Sequence, residues 1–225
     1  MGYTLVYTQV LEFLPYLING AWISLQIAIL AFFGGMFFGL ILATIRTFGS
    51  KISNNLVICY VTFFTNTPQL VQIYFLFFAL PEFGILLSPY IAVLLGMTLN
   101  AAAYLCEIQR AGFLSIRQNE LDAAKTLNFT LVQQVKYVIL PHIMKVLFPP
   151  LSNHYIIMTL GTSMAAIFGV EELTGRAFNI NSETFRSVEI FSITALIYIV
   201  ITFIATLLLA IIGRYFFKAK IRIIQ

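Results

Sequence analysis

Five stretches of this chain contain no Asp, Glu, Lys or Arg: Phe13–Ile45, Ile52–Pro81, Phe83–Cys106, Val146–Val170 and Ile190–Gly213. Each exceeds the about 20 apolar residues that a helix needs to cross a hydrocarbon core of about 30 Å. Lipid offers no partner to a free backbone N–H or C=O, so such runs must satisfy themselves as helices. The whole chain is 60% hydrophobic and only 10% charged, with a mean hydropathy of +0.93. A soluble domain carries roughly 25% charged residues, so a water-facing surface cannot be built from this composition. The sequence therefore predicts an all-α integral membrane protein with about five transmembrane helices. They are expected over 19–45, 56–80, 88–116, 142–167 and 188–214, in a single membrane domain spanning 1–225. The first run is too long for the apolar part of a signal peptide and lacks a basic start, so it is expected to be retained.

Five spans put the termini on opposite sides, and the basic residues choose between the two orientations. With the amino terminus outside, the cytoplasmic segments hold Arg46, Lys51, Arg110, Arg117, Lys125, Lys136, Lys145, Arg214, Lys218, Lys220 and Arg222. The outside keeps Arg176 and Arg186, together with Glu12, Glu82, Glu171, Glu172, Glu183 and Glu189. The reverse orientation reverses the bias, so the amino terminus and Glu171–Glu189 are predicted outside. The pI near 9.1 thus reports topology and contact with anionic lipid, not nucleic acid. Cys59 and Cys106 both fall in spans without a neighbouring cysteine, and read as packed thiols with no disulfide or metal implied.

Within the spans, Gly35, Gly39 and Ala43 form a small-residue stripe at four-residue spacing, which permits close helix approach. The second span holds Thr65, Asn66, Thr67 and Pro68 in its middle; Pro68 frees the Phe64 carbonyl. Two readings stand side by side, a structural kink and the lining of a wet path. In the third span Asn100, Tyr104 and Glu107 share one helix face, and Arg110 lies three residues beyond Glu107. Ionisable groups at depth face protein or water, so this face is either part of a path or a structural ion pair at the rim. The fourth span starts among Pro149 and Pro150 and contains Asn153, His154, Thr162 and Ser163. The segment Glu171–Glu189 reads as a polar outer connection, and the fifth span as a lipid-facing helix.

The connection Arg117–Lys145 carries more information. Asn119 is placed to cap a short helix, Glu120 and Asp122 suit its first turn, and Lys125 its last. Asn128 tolerates the left-handed backbone that closes a helix, and Thr130 with Gln133 has the spacing of a capping box for the next one. Pro141 then interrupts or kinks that helix. A cytoplasmic helix of about two turns over 120–127 is too short to be stable alone. It needs a partner surface.

The chain lacks a phosphate loop, a zinc-binding His-Glu helix and a nucleophile elbow. His142 and His154 have no clustered ligands, and each reads as a hydrogen-bonded helix residue. Nothing supports an enzyme, and no internal repeat or buried carboxylate pair supports a proton-coupled carrier.

Asp122-Ala123-Ala124, then Asn128, then Ile139-Leu140-Pro141 resembles the Glu-Ala-Ala loop of binding-protein-dependent ABC transporter permeases. Asp122 stands for the family's Glu and Asn128 for its Gly. Phe63-Phe64-Thr65-Asn66-Thr67-Pro68-Gln69-Leu70-Val71-Gln72 is similar to the Arg-Gly-Thr-Pro segment of the polar amino-acid branch, the importers of histidine, glutamine, glutamate and arginine. Asn100-Ala101-Ala102-Ala103-Tyr104 with Glu107 and Arg110, Pro149-Pro150-Leu151 with Asn153, and Thr162-Ser163 ahead of Glu172-Leu173-Thr174 extend the likeness from about Asn19 to Gly213.

The resemblance implies a type I ABC importer permease fold in a bacterial cytoplasmic membrane. Two permease subunits would form the pathway and two ATPase subunits would dock beneath them. An extracytoplasmic binding protein would deliver the amino acid. The helix 120–127 would be the coupling helix, meeting the ATPase through Glu120, Asp122, Ala123, Ala124, Leu127 and Asn128. ATP and magnesium would belong to the ATPase, with no cofactor on this chain. Asn100, Tyr104, Glu107, Asn153, Thr162 and Ser163 are the candidates for the substrate path. Where the branch often has a lysine two residues before its Thr-Ser pair, this chain has Leu160, which points to a non-identical partner permease. A non-transporting structural or regulatory membrane subunit and a proton-coupled amino-acid carrier are the alternatives; neither explains the capped cytoplasmic helix.

Overall fold

Ten α-helices, with short π and 3-10 turns between some of them, account for nearly all of the computed structural model, which describes residues 4–217. No strand occurs among these residues. The basic tail residues Lys218, Lys220 and Arg222 lie outside them. The helices are α1 (Tyr7–Leu11), α2 (Leu14–Phe48), α3 (Lys51–Asn66), α4 (Gln69–Tyr74), α5 (Pro89–Leu114), α6 (Gln118–Thr126), α7 (Leu131–Gln134), α8 (Leu140–Gly161), α9 (Leu173–Thr184) and α10 (Ser187–Phe216).

Helices α2, α5 and α10 are each long and apolar enough to cross a membrane. Two broken pairs, Lys51–Asn66 with Gln69–Phe83 and Leu131–Phe168 with Leu173–Thr184, bring the total up to five if each counts as one span. Prolines mark the starts of two of these helices: Pro15 lies in the first turn of α2 and Pro89 opens α5, where a missing N–H costs nothing. Pro149 and Pro150, expected at the beginning of the fourth span, instead lie inside α8. The second expected span is not one kinked helix but two: α3 stops at Asn66, and α4 begins after Pro68. The expectation of a plain polar connection over Glu171–Glu189 is also corrected, because α9 occupies most of it.

Packing divides the chain into two compact units. The first draws on Met1–Phe33, Thr67–Leu99 and Tyr155–Ala205. Its core joins Val10, Leu17 and Ala21 to Leu173, Ala177 and Ile180 of α9 and to Ile190 and Ile193 of α10. Gly20 lets α9 approach: a Cβ there would stand 2.8 Å from Arg176 Cδ and 3.0 Å from Leu173 Cα. Glu172, fully buried, caps α9; Oε1 accepts from the Gly175 amide at 2.9 Å and Oε2 from the Thr174 amide at 3.0 Å. Oε2 also accepts from Ser24 Oγ at 2.9 Å and the Tyr198 hydroxyl at 3.0 Å, while the Leu173 amide donates to Ser24 Oγ at 3.3 Å. The amides that open a helix have no partner within it, and here the first three are all met.

The second unit draws on Gly34–Asn66, Asn100–His154 and Thr206–Gln225. The small-residue stripe sets its packing, as its spacing suggested. A Cβ at Gly35 would lie 2.5 Å from Ala101 Cβ, and one at Gly39 would lie 3.1 Å from the Ala102 carbonyl oxygen. Ala43 is buried with Val57, Val61 and Cys106. Without a hydrophobic force between helices in lipid, such close backbone approach is a main source of cohesion.

Candidate functional site

The polar face of α5 meets the end of α3. Pro68 has no N–H to offer the Phe64 carbonyl, and the end of α3 leaves that of Thr65 without its usual partner. Asn100 Nδ2 donates to the Phe64 carbonyl at 3.1 Å, and the Tyr104 hydroxyl to the Thr65 carbonyl at 3.3 Å. Thr65 and Asn66 donate their own side chains back to the Val61 and Thr62 carbonyls, at 2.7 and 2.8 Å. Asn100 is buried, whereas Tyr104 is 41% exposed and its ring lies 5.7 Å from that of His154, tilted by 32°. His154 Nε2 is buried without a protein partner among the described residues.

One turn further along α5, Glu107 is gripped by Arg46 of α2. Arg110, the partner expected from local spacing, stands farther off, 3.9 Å from the other carboxylate oxygen. The local pair is thus corrected to a three-residue cluster whose closer cation comes from another helix. Gln109, buried on the same helix, donates to the Met36 carbonyl at 3.1 Å.

The remaining path candidates are placed as follows. Asn153 is exposed on α8, in the same unit as Asn100, Tyr104 and Glu107. Thr162 and Ser163 open the 3-10 turn Thr162–Phe168 and belong to the other unit. Thr162 is fully buried and donates to the Thr159 carbonyl at 2.7 Å. Ser163 donates to the Leu160 carbonyl at 2.9 Å. Each hydroxyl therefore gives its proton to the preceding turn and keeps its lone pairs.

The short helix of the connection is α6, one to two residues earlier than its predicted bounds. Its N-cap is Arg117, with no side-chain cap bond, and Asn119 lies within the first turn; the expected Asn119 cap does not form. The far end follows the sequence closely. Asn128 has a φ of 56°, its amide donates to the Lys125 carbonyl at 2.8 Å, and the Phe129 amide donates to the Ala124 carbonyl at 3.0 Å. These two bonds make a Schellman closure. The Thr130–Gln133 capping box forms in both directions.

Asp122, Ala123, Leu127 and Asn128 face outward and Glu120 is half-buried, but Ala124 is only 3% exposed and packs inside this chain. Of the two alanines expected to meet a partner, Ala123 alone offers surface. Gln118 and Lys125 both approach Asp122, at 2.9 and 3.6 Å. Exposed pairs of that kind contribute about 1 kcal/mol or less. Helix α6 rests against the π turn Val135–Ile139 that precedes α8. No group of three or more metal-ligating side chains occurs among the described residues.

Comparison with known proteins bears on this arrangement. Residues 35–218 match the family described as binding-protein-dependent transport system inner membrane component. The glutamine transport system permease protein GlnP of Escherichia coli strain K12 is 36% identical over 198 residues, covering 87% of this chain and 90% of that protein. The L-cystine transport system permease protein TcyB of Bacillus subtilis strain 168 is 32% identical over 204 residues, 90% of this chain and 87% of the relative. A crystal structure of an amino acid ABC transporter with histidines superposes with a TM-score of 0.87 at 29% identity, over 94% of this chain and 99% of that one. The MetNI methionine ABC transporter, at 18% identity and a TM-score of 0.70 over 90% of this chain and 97% of that one, shares the fold. This chain belongs to the binding-protein-dependent transport system inner membrane components, and is a multi-pass permease of the inner membrane.

Proposed function

We propose that this chain is the pathway-forming subunit of an ATP-driven importer of polar amino acids. The observation that carries the reading is α6: a short helix closed at its far end by a Schellman turn and followed by a capping box, presenting Asp122, Ala123 and Leu127 outward between two spans. A helix of that length is not stable on its own, and its outward face suits a groove on a partner. That partner is an ATPase subunit carrying the ATP and magnesium, present in two copies, while this chain hydrolyses nothing. The relatives that carry glutamine and cystine support the substrate class.

An extracytoplasmic binding protein delivers the amino acid, and a second permease completes the pathway. The amino terminus and Glu171–Glu189 lie outside, and α6 lies inside. An amino acid is a zwitterion, so its path needs donors for the carboxylate and acceptors for the ammonium group. Asn153 supplies donors, Glu107 supplies acceptors, Asn100 holds the end of α3 beside them, and Tyr104, Thr162 and Ser163 supply hydroxyls. Leu160 stands where the polar amino-acid branch often has lysine, which favours a non-identical partner holding the stronger anion contact.

Reconstitution tests this. Proteoliposomes with the partner permease, ATPase and binding protein should accumulate a polar amino acid only when ATP is supplied on the α6 side. A cysteine at position 127 should cross-link to the ATPase, and one at position 125 should react only with reagent on that side. Uptake without ATP, or labelling of position 125 from the opposite side, refutes the reading.

A further inference from the structure

We infer that His142 is a positioning residue that ties α6 to the foot of α8, so that a displacement of α6 is passed into the membrane helix. This rests on the proposed meeting of α6 with an ATPase.

Helix α6 has little hold on the rest of its unit. Most of its residues are exposed or half-buried, and Ala124 is the only one fully buried. A helix pushed from outside moves its neighbours only through contacts that resist the push. His142 supplies a polar one. It stands in the first turn of α8, directly after Pro141 and the π turn Val135–Ile139, and its side chain is 26% exposed. Its Nε2 lies 3.1 Å from the Ser115 carbonyl, one residue beyond the end of α5. Its Nδ1 lies 3.6 Å from Oε2 of Glu120, in the first turn of α6.

One ring therefore touches α5, α6 and α8. A carbonyl only accepts, so Nε2 carries a proton and donates to Ser115. That bond fixes the ring plane and aims Nδ1 at the Glu120 carboxylate, which it attracts as an imidazolium, with a proton on Nδ1 as well as on Nε2. The two ends of α6 are then held by different means. Glu120 is tied to α8 through the ring, and the Schellman end leads through the capping box and π turn into α8 along the chain. A push on α6 reaches α8 at both ends and moves it as a body. Without the ring, the Glu120 end is free to swing about the Schellman end, and part of the displacement is lost. His142 touches neither substrate nor nucleotide; it acts through Glu120.

The experiment uses the complete complex in proteoliposomes and reads three quantities: ATPase co-purification, ATP hydrolysis, and substrate moved per ATP hydrolysed. Substitutions within a coupling network change coupling by about 2- to 30-fold. His142→Ala should therefore keep ATPase co-purification and hydrolysis, while substrate moved per ATP falls by about 3- to 10-fold. His142→Gln, whose amide also donates to a carbonyl, should recover at least half of the loss. Glu120→Gln should lower the ratio on its own yet add nothing in the His142→Ala background, since both break one link. A wild-type ratio in His142→Ala, multiplicative losses in the double variant, or loss of ATPase co-purification in His142→Ala overturns the inference. A missing cross-link from position 127 to the ATPase in the otherwise unchanged complex is separate, and sinks the underlying reading.

Discussion

Replacing Glu172 with alanine removes a carboxylate on which four donors converge: the Thr174 and Gly175 amides, the Ser24 hydroxyl and the Tyr198 hydroxyl. The size of the effect follows from what each donor can do next. Losing a helix N-cap costs about 0.5–2 kcal/mol. A buried donor left without a partner costs about 1–3 kcal/mol, but both hydroxyls keep a second neighbour. Ser24 Oγ is 3.4 Å from the Gly20 carbonyl, and the Tyr198 hydroxyl is 3.0 Å from Thr174 Oγ1. Taking the low end for each hydroxyl and the middle for the cap gives about 3 kcal/mol.

That loss falls on the docking of α9, which is otherwise held by Leu173, Ala177 and Ile180. Local opening of α9 should become about 100-fold more populated, since 1.4 kcal/mol is a factor of ten. Ala177 is fully buried, so a cysteine there reports opening directly. Labelling by a water-soluble thiol reagent should accelerate by about two orders of magnitude in Glu172→Ala. It should accelerate less in Glu172→Gln, whose carbonyl oxygen can replace Oε2 and its three bonds. Equal labelling rates in Glu172→Ala and the parent would refute the claim that this carboxylate anchors α9.

Three further outcomes follow from the same packing. Gly35→Leu should destabilise the detergent-solubilised protein by about 1–3 kcal/mol or abolish folding, because overfilling a close-packed site has that cost; an unchanged thermal midpoint would contradict the stripe's role. Asn100→Ala should cost about 1 kcal/mol through the hydrogen bond lost at the Phe64 carbonyl, read as thermal stability without substrate; normal stability with reduced uptake would instead make Asn100 a substrate contact. Arg46→Gln should disturb assembly more than Arg110→Gln, by about 1 kcal/mol or less given the half-exposed carboxylate, and the reverse order would restore Arg110 as Glu107's main partner.

The features that were legible in the sequence are those whose cause is local. Charge-free length marks the spans, because lipid penalises any charge along the run. Asn128 at positive φ and the Thr130–Gln133 box are set by residues within a few positions of each other, and both form. Features set by distant residues were not legible. Arg46 reaches Glu107 from a different helix, so only the nearby Arg110 could be proposed from spacing. Helix α9 was missed because Glu171–Glu189 is polar and its cap is a Glu, which is not a favoured N-cap residue. Glu172 succeeds there only because Ser24 and Tyr198 add donors from other helices. The apolar spacing of Leu173, Ala177 and Ile180 was the one available signal. Which alanine of the pair at 123 and 124 faces inward likewise depends on how α6 packs, which the pair itself does not encode.

The break between Asn66 and Gln69 ties these strands together. In water, a carbonyl freed by proline is hydrated at little cost; in lipid it needs a partner within the protein. Asn100 and Tyr104 fill that need, and they are the residues whose shared face first suggested a path. A polar side chain at depth is thus bound first to the backbone it rescues, and any substrate contact must use what remains. For Tyr104 that remainder is the hydroxyl lone pairs, on a residue 41% exposed. One N–H of the Asn100 amide and the Tyr104 hydroxyl proton are committed to the Phe64 and Thr65 carbonyls before any substrate arrives.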